Sequence, residues 1–237
     1  MERIPRQRLG GVTGSQGPDG YDAVVLAGGR SSRLGGVPKA LLQFEGRTLL
    51  HRTLDALAGA RRIAVVGPPE LSAVLAGQAR TGRVLLTRED PPFAGPAAGI
   101  AAGTAALATQ ASAPVSGADL AAGSVRAPLT LLLACDMPRL AELVPRLLAA
   151  VRSHPGADLW VPVDAAGREQ PLACCARSEA LEAAVAAAFR TGGTAGLPAR
   201  KLLAPLAAVP VPLPAAATED VDTWEDAGRF GIVRPAP

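Results

Sequence analysis

The segment Leu26-Ala27-Gly28-Gly29-Arg30-Ser31-Ser32-Arg33-Leu34-Gly35-Gly36-Val37-Pro38-Lys39 concentrates more potential chemistry than any other part of the chain. Paired glycines let a backbone approach a ligand closely and turn its N–H groups toward it, which suits an anionic phosphate. Arg33 and Lys39 then bring positive charge to the same place. The segment is not a Walker A loop, because Ala40 follows Lys39 and the glycine spacing differs. Nor is it the G-x-G-x-x-G dinucleotide fingerprint. A flexible loop with solvated arginines is the bland alternative. Against it, only Lys39 and Lys201 are lysine among 24 basic residues, so a lysine in this loop is informative.

Asp136 is the second focus, placed directly after the apolar run LTLLLAC. A carboxylate at the end of a buried strand needs a partner. Mg2+ bridging phosphates is a natural one, being held by one or two carboxylates plus substrate oxygens; a helix N-cap for Leu140–Val151 is the alternative. Asp90 with Gly95-Pro96-Ala97-Ala98-Gly99 reads as a nucleoside-recognition loop leading into a helix, or as an ordinary surface turn. Asp220-Val221-Asp222-Thr223 precedes the last helix, where capping competes with a functional role. His51 and His154 have no partners at ligand spacing, and Trp160 and Trp224 read as packing residues.

These residues need a frame that brings loops together. Strand-like runs occur at Tyr21–Ala27, Arg62–Val66, Arg83–Thr87, Leu129–Ala134, Leu159–Val163 and Gln170–Ala176. Helix-like runs occur at Thr48–Gly59, Glu70–Ala79, Gly99–Leu107, Leu140–Val151, Glu179–Phe189, Lys201–Leu206 and Asp222–Phe230. Their alternation predicts an α/β chain: a single Rossmann-like three-layer domain, residues 21–237, with a mostly parallel sheet and a small antiparallel hairpin around Asp164–Glu169. Val209–Leu213 contains Pro210 and Pro212 and is expected at a sheet edge. In such sheets ligands lie beyond the carboxyl ends of the strands, which here means Gly28–Gly29, Gly67, Asp90 and Asp136. Residues 1–20 read as a disordered N-terminal extension, and Thr109–Ala127 as a surface loop or insertion.

Composition narrows the rest. A net charge of +3 over 237 residues, with no Lys/Arg cluster interleaved with aromatics, gives no nucleic-acid signature. No long uncharged apolar run suggests a membrane span, and the N-terminus lacks the apolar stretch of a signal peptide, so a cytoplasmic protein is expected. Cys135, Cys174 and Cys175 form neither a disulfide framework nor a zinc motif and read as core residues.

Together, LAGGRSSRLGGVPKALL, RED…GPAAG, LLLACDMP and DVDTWED resemble the molybdenum cofactor guanylyltransferases of the GT-A-like nucleotidyltransferase superfamily, with motifs in matching order from Asp22 to Gly231. The resemblance implies transfer of GMP from GTP to the terminal phosphate of molybdopterin, with release of pyrophosphate. It implies that Leu26, Ala27, Gly28 and Gly29 hold the nucleoside end while Arg33 and Lys39 face the phosphates. On the same resemblance, Gly67, Asp90, Gly95 and Gly99 are expected to complete the nucleotide pocket. It further implies that Asp136 binds Mg2+, with Asp222 as second metal ligand or acceptor contact. GTP and molybdopterin are the implied substrates and molybdoenzyme chaperones the candidate partners, with a monomer expected. Leu34 stands where relatives usually have Met, Gly67 and Asp222 where some have Asn, and Gln170-Pro171 where many have His-Pro. A CTP-using sister enzyme, an enzyme with a sugar-phosphate acceptor and a non-catalytic nucleotide-binding domain are the competing readings.

Overall fold

The computed structural model describes residues 20–76, 82–111, 126–164, 166–213 and 219–232. The expected N-terminal extension and most of the 109–127 segment lie outside these. Tyr21–Leu26 (β1) is a run of buried residues, as a strand covered on both faces must be. Ala23 and Val25 point into one apolar cluster and Val24 into another. β1 pairs in parallel with Ile63–Val66 (β4) on one side and Leu129–Ala134 (β6) on the other. Val84–Thr87 (β5) extends the sheet beyond β4. On the far side lie Ala173–Arg177 (β8), Leu159–Val163 (β7) and Ala208–Pro212 (β9), giving the order β5-β4-β1-β6-β8-β7-β9.

Helices cover both faces. Leu49–Ala56 (α1) and Leu140–Ser153 (α4) pack on one side through Leu50, Leu54, Leu143 and Leu147. Pro96–Ala111 (α3), Ser178–Arg190 (α5) and Ala199–Leu203 (α6) cover the other through Ile100, Leu107, Leu181 and Leu202. α3 is built from small residues because it sits close to the sheet. A Cβ on Gly103 would lie 2.4 Å from a methyl of Val24, and one on Gly99 2.9 Å from a methyl of Leu26.

The three-layer α/β architecture is as expected, with some differences of detail. The expected antiparallel hairpin is present as β7 and β8, with β8 inserted between β6 and β7 and antiparallel to both. Its apolar ACCA core, buried on both faces, makes that central position favourable. α3 begins at Pro96 rather than Gly99, because proline is well tolerated in a first helical turn. The expected helix at Glu70–Ala79 is a 3-10 turn at Pro69–Leu71 followed by Ser72–Ala76 (α2), with 77–79 outside the described residues. Gln43–Phe44 (β2) and Arg47–Thr48 (β3) form a two-stranded ribbon with no warning in the hydrophobic pattern, its turn made by Glu45 and Gly46 at positive φ. β9 is an edge strand as its prolines require.

Candidate active site

The carboxyl ends of β1, β4 and β6 are drawn level by backbone hydrogen bonds. Ala27 N–H donates to Val66 O at 2.8 Å, and Cys135 N–H to Leu26 O at 3.1 Å. Gly28 and Asp136 therefore leave the sheet side by side. After Gly28–Gly29 the chain turns through Ser31 at φ 45° into a 3-10 turn at Ser32–Leu34, then through Gly35 at φ 68°. A second such turn, Lys39–Leu41, returns it to the domain.

The loop is anchored by a small core of its own. Leu34 is buried with Leu42, Leu49, Val221, Ala227 and Ile232, so it tethers the glycine loop to the C-terminal segment. Val221 is the hinge of that arrangement. Its side chain enters this core while its N–H donates to Asp136 O at 3.0 Å, leaving Asp220 and Asp222 on either side of it beside Asp136. One carboxylate oxygen from each of Asp136, Asp220 and Asp222 lies within 4.8 Å of the others.

Lys39 sits among them. Its Nζ donates to Asp136 Oδ2 at 2.7 Å and to Asp222 Oδ1 at shorter range, and Arg33 Nη1 is 3.5 Å from Asp222 Oδ2. Burial draws the Lys39 ammonium toward its neutral form. The Asp136 charge and the hydrogen bonds that Lys39 donates to both carboxylates more than reverse this, holding its pKa above the ordinary lysine value. The Asp220 carboxyl is pushed up, first by loss of water and then by the charges of Asp136 and Asp222. Three crowded carboxylates make a site that favours a cation, and oxygen-only donors suit a hard divalent ion.

Two capping alternatives are settled. α4 starts at Leu140 with Arg139 at its N-cap, so Asp136 does not cap it. The final helix, Trp224–Arg229 (α7), is capped by Thr223. The Thr223 hydroxyl accepts from Asp226 N–H at 3.1 Å, and Thr223 N–H donates to the Asp226 carboxylate at 2.8 Å. The Asp222 carboxylate is thereby free to face Lys39.

Beside the acidic group lie two cavities. A cleft of about 410 Å³ is lined by Leu26, Gly28, Gly29, Gly95, Gly99 and Asp136 among others, which collects most of the residues expected to hold a nucleoside. A neighbouring cavity of about 320 Å³ opens among Gly28–Arg33, Lys39, Asp136 and Asp222, where phosphates are expected. Ala27, Lys39 and Gly67 line a crevice behind the glycine loop. A side chain at Gly67 would meet Leu71 at 2.7 Å and the Ala27 carbonyl at 3.3 Å, so the close approach of the two loops requires glycine there.

Asp90 is the exception. It is exposed and lines an adjoining groove of about 670 Å³ between α3 and α5, while its neighbour Glu89 borders both that groove and the nucleoside cleft. Sequence reasoning gave no role to Phe93 or Leu172 and none of their own to Arg30 and Asp220, which it named only within their segments; all four reach the site. Only Asp220 carried a usable signal, its two-residue spacing from Asp222 across an apolar residue.

Residues 23–209 match the MobA-like NTP transferase domain. The chain belongs to that family. A molybdenum cofactor guanylyltransferase from Cupriavidus necator is 35% identical over 182 residues, covering 74% of this chain and 78% of the relative. Rv0371c from Mycobacterium tuberculosis H37Rv superimposes with a TM-score of 0.61 at 25% identity, covering 89% of this chain and 96% of the other. That mycobacterial protein is also known in complex with manganese, at 24% identity and a TM-score of 0.58. The molybdopterin-guanine dinucleotide biosynthesis protein A of Archaeoglobus fulgidus shares the fold, at 19% identity, a TM-score of 0.56 and coverage of 88% and 96%. As a MobA-like NTP transferase the protein is a nucleotidyltransferase. The family match ends at Val209, so Asp220 and Asp222 join its site through the contacts described above.

Proposed function

We propose that this MobA-like transferase moves the guanylate of GTP onto the terminal phosphate of molybdopterin and releases pyrophosphate. The observation that carries the reading is the meeting of Lys39 with Asp136 and Asp222 beneath the Gly28–Gly29 loop, next to a cleft of nucleoside size. The names of the relatives support the choice of guanylate and of the molybdopterin acceptor.

Gly28 and Gly29 present backbone to the phosphates, and Arg33 and Lys39 neutralise charge on the phosphoryl group that changes hands. A phosphate acceptor is already anionic near neutral pH, so the chain needs no general base, and positioning plus charge neutralisation carry the rate. Asp136 and Asp222 would hold Mg2+, with Asp220 beside them, and their oxygen donors fit it. Bound there, the ion would withdraw charge from the reacting phosphates. Lys39, held between the same carboxylates, keeps its ammonium beside the cavity where the phosphates would lie. A cytoplasmic monomer that passes its product to molybdoenzyme chaperones completes the proposal.

The test is direct. The protein is incubated with each of the four NTPs, Mg2+ and either molybdopterin or a sugar phosphate, and pyrophosphate is followed. Release with GTP and molybdopterin alone is the expected result. Release that requires CTP or a sugar phosphate would overturn the substrate assignment.

A further inference from the structure

The chain has seven aromatic residues, and Phe93 and Phe189 are the large apolar side chains that the described residues leave exposed. Phe93 stands at the mouth of the nucleoside cleft and borders the crevice behind Gly28–Gly29 as well. It is 49% exposed, so packing does not explain it. Its backbone lies at φ 62°, a conformation that disfavours bulky L side chains, so local preference does not explain it either. The loop is nonetheless held in place, since Phe93 N–H donates to Glu89 Oε1 at 3.0 Å and the adjacent Ala94 O accepts from Gly196 N–H at 2.7 Å.

The ring is positioned from outside by two cations. The guanidinium of Arg30 lies 5.5 Å from its centroid and that of Arg88 5.4 Å. Arg30 also borders the phosphate cavity, so one residue connects the ring to both halves of the site. Phe93 is the one aromatic among the residues lining the cleft; the other walls there are aliphatic, glycine or charged. A planar, polarisable base entering an otherwise aliphatic slot gains most from a π surface at its mouth.

We infer that Phe93 is a nucleotide-binding residue whose ring closes the cleft over the nucleobase. The inference rests on the nucleotidyltransferase reading of the cleft, but not on which base is used, because every base has a π face.

The experiment measures binding of the nucleoside triphosphate that wild type accepts, and of inorganic tripolyphosphate, by calorimetry on the full chain. The proteins are wild type and the variants Phe93→Gly, Phe93→Leu and Phe93→Tyr. Glycine removes the ring while relieving the positive φ, so Phe93→Gly should melt no lower than wild type. It should still bind the nucleotide about 10-fold more weakly, with tripolyphosphate affinity unchanged. Leucine, apolar but not aromatic, should also weaken nucleotide binding, and tyrosine should keep it within about twofold of wild type. Wild-type nucleotide affinity in Phe93→Gly would overturn the inference. So would an equal loss for tripolyphosphate, which would make Phe93 a support for the phosphate loop. A wild type that takes CTP in place of GTP would sink the guanylyl assignment above and leave this one standing.

Discussion

Asp136→Asn separates the metal-holding role of this residue from any structural one. The substitution keeps the shape and one carbonyl oxygen and removes one negative charge. Asp136 caps no helix, so no cap is lost. Its backbone carbonyl still accepts from Val221 N–H, so the C-terminal segment stays docked. Lys39 keeps Asp222 as its partner and can still donate to the amide oxygen. The fold therefore loses at most part of one charge-assisted hydrogen bond between side chains that are 21% and 16% exposed, about 1 kcal/mol after screening. Relief of repulsion among three carboxylates offsets part of that. For a domain of this size 1 kcal/mol is roughly 2–4 °C in Tm.

Turnover should behave very differently. Loss of one preorganised electrostatic group costs on the order of 10²–10³ in rate, or about 2.7–4 kcal/mol of transition-state stabilisation. Pyrophosphate release is measured against Mg2+ and Mn2+ concentration for both proteins, alongside thermal melts. The expected outcome is a Tm within about 4 °C of wild type. Activity should be at least about 100-fold lower and partly restored by raised metal. Superimposable metal curves for the two proteins would refute the reasoning, as would a loss of activity that simply follows unfolding.

Lys39→Ala should lower turnover by about 10²-fold or more while the chain stays folded, as checked by steady-state kinetics and circular dichroism; unchanged kinetics would remove Lys39 from the site. Gly103→Ala drives a methyl toward Val24 and Val66 and should cost about 1–3 kcal/mol of stability, read from denaturant midpoints; an unchanged midpoint would contradict it. Burial pushes the Cys174 thiol up to about 12 and those of Cys135 and Cys175 higher still. An aromatic disulfide reagent at pH 8 should accordingly modify none of the three in the native protein and all three once it is denatured. The Asp164 carboxyl lies below its ordinary value, chiefly because it accepts the Arg168 backbone N–H and also because of that residue's side chain and the Ala166 N–H. A depressed folded pKa stabilises above the unfolded value and is lost as pH falls through the folded one. The Tm difference between wild type and Asp164→Asn should hold steady above about pH 5 and shrink below about pH 4; a constant difference down to pH 2 would contradict it.

The sequence by itself determined the layers and the loop chemistry. Two-sided burial of LTLLLA and YDAVVL, alternating with amphipathic runs, leaves little but a largely parallel sheet with helices on both faces. Within that sheet the strand-end rule places Gly28 and Asp136 together, and the lone lysine in a glycine loop marks itself by its rarity. What the sequence left open depended on contacts between distant segments. ACCAR is apolar enough for an edge or a centre, and only its pairing with β6 put it between β6 and β7. Glu89 and Asp90 are equivalent in type and adjacent, and the path of the loop decided which one faces the cleft. Capping and metal binding use the same residue type, so Asp222 became free for the site only once Thr223 was seen to take the cap. Asp220 and Asp222 reach Asp136 because Leu34 and Val221 share a small core across nearly the whole chain. Phe93, an aromatic held at positive φ in a polar loop, shows no periodicity at all. Its place at the cleft mouth comes from tertiary contacts alone, because a hydrophobic pattern records what is buried and says nothing of a side chain held out for a ligand.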